Sequence, residues 1–274
     1  MLHFPNAKIN LGLFVTDKRA DGYHNIETVF YPLPMLKDAL EVLPVAEDSE
    51  SSMRISGKKI DGDFDQNLVW KAYQLIRAQY SDRVNNINIH LMKTIPMGAG
   101  LGGGSADGAF MLRLLNKFFN LEISDEALAQ LAFQLGSDCP FFIYNTPHLA
   151  KGRGELLSPL SLDLSHYSIQ VICPNIHVST ATAFSKITTK PASFNLAELG
   201  RLPLQQWKEN VVNDFESSVF DVHPELALIK QKLYEEGAIY ASMSGSGSAL
   251  YGIFEEGSRS SSISNDEQEV YYFE

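Results

Sequence analysis

The sequence predicts an α+β fold divided into two domains. Segments with the two-residue alternation of strands and segments with helical spacing follow one another, separated by turns rich in glycine and proline. The 274 residues, of which 45% are hydrophobic and 20% charged, are enough to bury a sizeable core. Residues 147–159 are looser in composition, which indicates a crossing between two halves. We therefore expect one domain over residues 1–155 and a second over residues 156–274.

The order of the elements follows from the periodicity. In the first half it predicts strands over residues 7–15, 26–33 and 87–93, helices over residues 68–80, 105–120 and 124–135, and an apolar strand within residues 136–145. Asn67 stands where the N-cap of the first helix is expected. In the second half it predicts a strand over residues 168–174, a helix over 224–237, a strand–loop–strand unit over 239–254 and an edge strand at 270–274.

Charge and cysteine content exclude several classes of protein. A net charge of −11 argues against a broad nucleic-acid or anionic-membrane surface, although it allows a small pocket for an anionic substrate. No apolar run is long enough to span a bilayer, and the first residues lack a signal-peptide pattern. Cys139 and Cys173 match no zinc or redox spacing, so we expect reduced thiols in a cytoplasmic protein. We also expect the protein to be a monomer or a weak dimer.

A glycine-rich segment points to a phosphate ligand. Five glycines lie between Met97 and Ser105, where a predicted strand runs into a predicted helix. Glycine allows a positive φ and lets a ligand approach the backbone closely. The first turn of a helix offers N–H donors and the positive end of the helix dipole. The pattern therefore favours a phosphate-binding loop over a flexible connector.

Three common phosphate-binding motifs do not fit this loop. Gly98, Gly100 and Gly103 satisfy G-x-G-x-x-G, but no second strand ending in an acid follows, as a dinucleotide-binding fold requires. Gly104 is followed by Ser-Ala, not by the Lys-Ser or Lys-Thr of a Walker A loop. The HRD and DFG sequences of protein kinases are also missing from the chain.

Three motifs in order resemble those of the GHMP kinases: PNAKINLGL, then PMGAGLGGGSADGA, then SMSGSGSALYGIF. Within that superfamily, AKINLGLFVTDKRADGYHNIETVF, GSDCPFF and NDFE resemble the branch of 4-diphosphocytidyl-2-C-methyl-D-erythritol kinases. The match runs from about Phe4 to Phe254. It implies the two-domain GHMP kinase fold, with a mixed β/α ATP-loop domain followed by an α+β sandwich domain that carries the third glycine motif and the acidic tail. It also implies ATP-dependent phosphorylation of the 2-hydroxyl of the cytidylyl substrate in the non-mevalonate isoprenoid pathway.

The resemblance places the family's catalytic lysine and aspartate on Lys8 and Asp138. As a general base, Asp138 would accept the hydroxyl proton during in-line attack. Lys8 would bring positive charge to the transferring phosphoryl group and keep Asp138 ionised. Taken alone, Asp138 fits a helix cap or turn and Lys8 fits a solvent-facing lysine. The co-occurrence of the three motifs favours the catalytic interpretation.

The resemblance also implies which residues hold ATP and magnesium. The ATP contacts it predicts are Asn67, Pro96, Met97, Gly98, Ala99, Gly100, Leu101, Gly102, Gly103, Gly104, Ser105 and Ala106. Magnesium should accompany ATP, but the sequence does not identify its ligands, and Ser105 is only a candidate. Asp107 follows where many relatives carry Asn. Because an inward carboxylate would repel phosphate, we expect it to face ribose, base or solvent.

Recognition of cytidine would need flat stacking surfaces and a few directed hydrogen bonds. The family's substrate contacts fall on Asn10, Tyr23, His24, Phe30, Thr180, Phe184 and Gly245. The two phenylalanines also fit core positions, and His24 also fits a cap on the preceding Asp-Gly turn.

Three other functions stay open at this point. The first is a GHMP kinase that acts on another small alcohol. The second is a non-catalytic nucleotide-binding protein on the same fold. The third is a thiol hydrolase that uses Cys139, although no histidine partner can be placed beside that residue.

Overall fold

The structure, a computed structural model, describes residues 1–46, 49–59, 64–261, 263 and 268–273. Within those residues the strands are β1 (Leu2–His3), β2 (Asn6–Lys18), β3 (His24–Lys37), β4 (Ala39–Pro44), β5 (Ser52–Gly57), β6 (Ile87–Lys93), β7 (His148–Lys151), β8 (Leu156–Pro159), β9 (Tyr167–Pro174), β10 (Tyr240–Met243), β11 (Leu250–Glu255) and β12 (Gln268–Phe273). The α-helices are α1 (Leu68–Gln79), α2 (Gly103–Phe118), α3 (Asp125–Leu135), α4 (Cys139–Tyr144), α5 (Thr180–Phe184), α6 (Trp207–Asn210), α7 (Phe215–Val222) and α8 (Pro224–Glu235). Among the described residues, no helix combines the length and hydropathy needed to cross a bilayer. The mixture confirms the predicted α+β class.

The chain forms two compact units, each assembled from separated stretches. The first unit contains residues 1–7, 32–96 and 102–146. Its sheet has the order β1-β4-β6-β5, with β4 antiparallel and β5 parallel to β6. Helices α1, α3 and α4 all pack against α2, which is buried along most of its length. Residues 119–124, all of which the structure describes, form no strand between α2 and α3, whereas a dinucleotide-binding fold would require one.

The second unit contains residues 8–31, 97–101 and 147–274. Strands β10, β11, β9 and β12 form one sheet in that order, and β2, β3, β7 and β8 form another. The predicted edge strand is confirmed as β12, which pairs antiparallel with β9, while Glu274 lies outside the described residues. The predicted division into domains at residue 155 stays a prediction.

Two helix starts carry the caps that their sequences provide. The Asn67 side-chain oxygen accepts a hydrogen bond from the Val69 backbone N–H at 2.9 Å, as predicted for α1. The Ser124 hydroxyl accepts one from the Ala127 N–H at 3.3 Å at the start of α3. Each cap satisfies a donor that the helix itself leaves unpaired.

The strand predicted within residues 136–145 is wrong, because the segment forms the helix α4. A short apolar run has no periodicity that separates a buried strand from a buried helix. The position of Pro140 explains why this segment is a helix and not a strand. Its ring suits the first turn of a helix, where no N–H donor is needed, whereas in a strand it would remove a ladder hydrogen bond.

Candidate active site

The glycine-rich loop is divided between the two units, with residues 97–101 in the second unit. There Gly100 has a φ of +78°, and a Cβ at this position would lie 2.0 Å from the Ser244 carbonyl oxygen. The Ser244 hydroxyl donates to the Gly100 carbonyl at 2.9 Å, and the Ala249 N–H donates to the Ala99 carbonyl at 3.1 Å. Only glycine permits this approach. The central and third motifs therefore meet in this unit.

Lys8, on β2, also contacts Gly100 of the glycine-rich loop. Its interpretation as a solvent-facing lysine is wrong. The residue is only 3% exposed. Its ammonium donates to the Asn10 side-chain oxygen at 2.7 Å and to the Gly100 carbonyl at 3.1 Å, and it lies 5.0 Å from the centre of the Phe30 ring. The Lys8 ammonium is therefore held against the loop at Gly100, and its catalytic role stays a prediction.

Asn10 and Phe30 support Lys8 in this structure. The Asn10 amide donates to the Thr28 hydroxyl at 3.0 Å, and its backbone carbonyl accepts from the Tyr251 hydroxyl at 2.7 Å. Phe30 is 1% exposed as a residue, and its ring lies against the Lys8 ammonium. Substrate contacts at these two positions stay predictions.

The third-motif turn is held by Asn213, a residue to which the sequence analysis assigned no role. Its amide donates to the carbonyls of Met243 and Gly245, both at 2.8 Å, and its side-chain oxygen accepts from the Phe215 N–H at 3.0 Å. It is 4% exposed. Gly245, with a φ of +58°, faces the Asn10 side-chain oxygen. The only sequence signal was the polar Asn-Asp pair within VVNDF.

Two of the predicted base contacts form a stacked pair. The rings of His24 and Phe184 lie 4.7 Å apart with an interplanar angle of 19°. Phe184 ends α5 and meets Phe215 edge-on at 4.7 Å, which fixes the plane of the stack. Thr180 begins the same helix and is exposed.

Tyr23 is backed by an arginine that no motif marked. The Arg153 guanidinium lies 4.0 Å from the centre of the Tyr23 ring, which is 54% exposed. Gly152 and Gly154, with φ of +70° and +115°, form the turn that presents Arg153, and the Ile26 N–H donates to the Gly152 carbonyl at 2.7 Å. One face of Tyr23 is therefore covered by a cation.

The second part of the loop, residues 102–106, lies in the first unit and begins α2. Gly102 precedes the helix with a φ of +72°, and no side chain caps its start. A Cβ on Gly103 would lie 2.9 Å from Ile95, whereas one on Gly104 would meet no atom within 4 Å. The first turn is therefore open to space at Gly104, and its role as an anion site stays a prediction.

Asp138 occupies the N-cap position of α4 but does not cap it with its side chain. The side chain is therefore not a helix cap, whereas the alternative of a turn residue is confirmed, because Asp138 lies in the turn before α4. The residue is half-buried at the end of the segment that follows α3. Its role as the general base stays a prediction.

The neighbouring thiol is unsuited to nucleophilic catalysis. Burial raises the pKa of Cys139 to about 12, although a hydrogen bond with Ser105 opposes the shift. The thiolate is the nucleophile, so a thiol this weakly acidic is inert at neutral pH. This argues against the thiol hydrolase alternative.

Asp107 points neither to solvent nor to a ligand space, so the expectation for it is wrong. It is 2% exposed and accepts a hydrogen bond from the Lys93 ammonium at 2.6 Å. Burial raises the pKa of Asp107 well above its usual value, Lys93 opposes the shift, and the Asp38 carboxylate adds to it. The carboxylate therefore lies on the buried side of α2, one turn from the start of the helix.

The donor set suits a magnesium ion carried by a nucleotide. Among the described residues, no cluster of three or more His, Cys, Asp or Glu side chains could form a metal cage. Magnesium bound to nucleotide phosphates commonly takes only one or two protein oxygens. Ser105, on the first turn of α2, is the only residue between Pro96 and Ala106 with a side-chain oxygen.

Comparison with known families identifies the fold. Residues 67–146 match the profile described as "GHMP kinases N terminal domain", and residues 193–272 match the profile "GHMP kinases C terminal". The chain belongs to the GHMP kinase family. It is a small-molecule kinase that uses ATP, and the predicted family, fold class and enzyme class are confirmed.

Curated relatives of this GHMP kinase are similar over nearly their full length. A Bacteroides thetaiotaomicron protein named 4-diphosphocytidyl-2-C-methyl-D-erythritol kinase is 51% identical over 93% of this chain and 92% of its own. A Porphyromonas gingivalis protein of the same name is 48% identical over 93% of each chain. The crystal structure of a 4-(cytidine 5'-diphospho)-2C-methyl-D-erythritol kinase matches with a TM-score of 0.77 and 32% identity, over 92% of this chain and 90% of its own. A mevalonate kinase structure, at 11% identity and a TM-score of 0.70 over 99% and 98% of the two chains, shares the fold.

Substitution of Gly104 by leucine tests whether the space above the first turn of α2 belongs to ATP. The new side chain meets no protein atom at its Cβ, and leucine favours a helix over glycine by about 0.5–1 kcal/mol, so the thermal midpoint should not fall. ATP affinity, measured by calorimetry, should fall at least tenfold. Glu126→Leu, in the first turn of α3, is the matched control and should leave ATP affinity unchanged. An unaltered ATP affinity in Gly104→Leu would exclude the turn from the site.

Proposed function

We propose that this kinase transfers the γ-phosphoryl group of ATP to the 2-hydroxyl of 4-diphosphocytidyl-2-C-methyl-D-erythritol. The step belongs to the non-mevalonate route to isoprenoid precursors. The observation that carries the proposal is the stacked pair of His24 and Phe184 in the second unit, with Tyr23 adjoining His24 in sequence. Flat rings bind a nucleobase by stacking, which an acceptor without a base would not need. Relatives at 46–51% identity carry this activity in their names.

In this reaction the protein mainly positions the two substrates and supplies charge to the transferring phosphoryl group. Phosphoryl transfer passes through a loose transition state whose charge lies on the phosphoryl oxygens. Lys8, fixed by Asn10 and Gly100, supplies positive charge at the loop. Asp138 accepts the proton of the attacking hydroxyl. The open first turn of α2 adds N–H donors for the phosphates.

Magnesium is part of this proposal. Ser105 would hold it through the side-chain hydroxyl. When bound, the ion neutralises charge on the β- and γ-phosphates. A cytoplasmic location and a monomeric or weakly dimeric state remain predictions.

The choice of acceptor is tested by ATP consumption with Mg²⁺ and three purified acceptors: the cytidylyl substrate, mevalonate and homoserine. Turnover is expected with the cytidylyl substrate alone, because only that acceptor uses the stacked rings. Turnover with another acceptor would keep the kinase and discard the cytidine pocket. If none of the three turns over although ATP binds, the non-catalytic nucleotide-binding alternative becomes the better account.

Lys8→Met and Asp138→Asn test the two catalytic roles. Each variant should lower kcat by about 10²–10⁴, the usual value of a general base or a charge stabiliser, measured at a temperature where the variant remains folded. Lys37→Met is the control, since Lys37 is an exposed lysine that lies 5.1 Å from the centre of the Phe4 ring. A loss below tenfold in both variants would contradict the mechanism.

Phe184→Leu tests the stacking surface. Loss of a base–aromatic stack typically costs about 1–3 kcal/mol, so KM for the cytidylyl acceptor should rise about five- to 150-fold. CDP should also inhibit less strongly, while KM for ATP stays unchanged. Phe133→Leu, a partly exposed phenylalanine of α3, is the matched control. Equal changes in the two KM values would argue that Phe184 acts only through folding.

A further inference from the structure

Three charged side chains are buried together in the first unit, and no step proposed above uses them. Lys93 ends β6, Asp38 lies between β3 and β4, and Asp107 lies one turn into α2. Their exposures are 2%, 1% and 2%. Charged groups are rarely buried this completely unless they are paired, because desolvation is costly. A single ammonium here serves two carboxylates.

One carboxylate holds the backbone that leads into the ATP loop. Asp38 accepts a short hydrogen bond from the Lys93 ammonium. Its other oxygen accepts from the backbone N–H groups of Thr94 at 2.5 Å and Ile95 at 2.9 Å, immediately before Pro96. The strand end is therefore fixed in direction at the residue where the loop begins.

The other carboxylate holds the helix that leaves the loop. Asp107 accepts from the Lys93 ammonium at 2.6 Å, and within the described part of the chain its second oxygen has no hydrogen-bond donor. A Cβ on Gly103 would lie 3.5 Å from the same ammonium and 2.9 Å from Ile95. The ammonium thus lies directly beneath the first residue of α2.

We infer that Lys93 is a positioning residue of the ATP site, which acts with Asp38 and Asp107 to set the first turn of α2 against the end of β6. The inference rests on the proposed ATP-binding role of that turn. Its N–H groups can serve phosphate only if the turn is held in place, and a misplacement of about 1 Å can cost about 10²-fold in rate. The ammonium also offsets the negative charge of Asp107 beneath an anion site.

A purely stabilising role explains this cluster poorly. Replacing buried ion pairs by apolar side chains is often neutral or stabilising, so ionic burial by itself adds little stability. Directed hydrogen bonds to two backbone N–H groups, by contrast, fix an orientation that apolar packing would leave looser.

The test compares Lys93→Met, Asp107→Ala and Asp107→Asn with Leu128→Ala, a buried change in α3 that serves as the stability control. ATP affinity is measured by calorimetry without acceptor, alongside the thermal midpoint and the affinity for CDP. Lys93→Met should weaken ATP binding at least tenfold more than Leu128→Ala does at a comparable loss of midpoint, with CDP affinity within about twofold of the unaltered protein. Asp107→Asn keeps the shape and an oxygen for Lys93, so it should weaken ATP binding several-fold less than Asp107→Ala.

Two results would overturn the inference. One is a loss of ATP affinity in Lys93→Met that is no larger than in Leu128→Ala at a comparable loss of thermal midpoint. The other, decisive if Lys93→Met does not fold, is equal ATP affinity in Asp107→Ala, Asp107→Asn and the unaltered protein. Gly104→Leu distinguishes a failure of the proposed ATP-binding turn from a failure of the positioning role of Lys93. If it leaves ATP affinity intact, the role of the turn fails and the inference with it, whereas if it removes ATP binding and the cluster variants do not, only the inference fails.

Discussion

The site in the second unit depends on one backbone oxygen, the carbonyl of Gly100. It accepts hydrogen bonds from both the Lys8 ammonium and the Ser244 hydroxyl, at 3.1 and 2.9 Å. Segments far apart in sequence thereby meet at one acceptor, and the meeting is possible only because residue 100 has no Cβ. A side chain at this position would separate the loop from the third motif and remove the partner that orients Lys8.

In the first unit, buried charged side chains hold the start of α2 in position. There the end of β6 and the start of α2 are both tied to the buried ammonium of Lys93, through Asp38 and Asp107. A phosphate-binding turn must leave its N–H groups unsatisfied until a ligand arrives, so it cannot be held by caps of its own. If the turn binds ATP as proposed, its support comes from the side chains beneath it, which gives a reason for burying charge at some cost in desolvation.

The sequence correctly predicted the elements that depend on the spacing of residues close together in the chain. The periodicity identified β2, β6, α1 and α8, and side-chain chemistry placed the Asn67 cap. The α4 segment failed because six apolar residues carry no period, and only the position of Pro140 distinguishes helix from strand. Lys93, Arg153 and Asn213 were missed since their partners are distant in sequence, and a lone polar residue gives no sign of which buried group it will meet. Asp107 was misplaced for the same reason.

The shared fold leaves the acceptor undetermined. Structures of mevalonate and homoserine kinases, at 11% and 17% identity, have TM-scores of 0.70 and 0.60 against this chain, so the architecture alone is compatible with acceptors that lack a base. What differs must lie in side chains that can discriminate one acceptor from another. The His24–Phe184 stack and the Arg153–Tyr23 pair are flat surfaces, and a flat surface gains binding energy from a base but little from a small alcohol. The proposed function therefore assigns acceptor choice to these few rings and ATP binding to the glycine-rich loop.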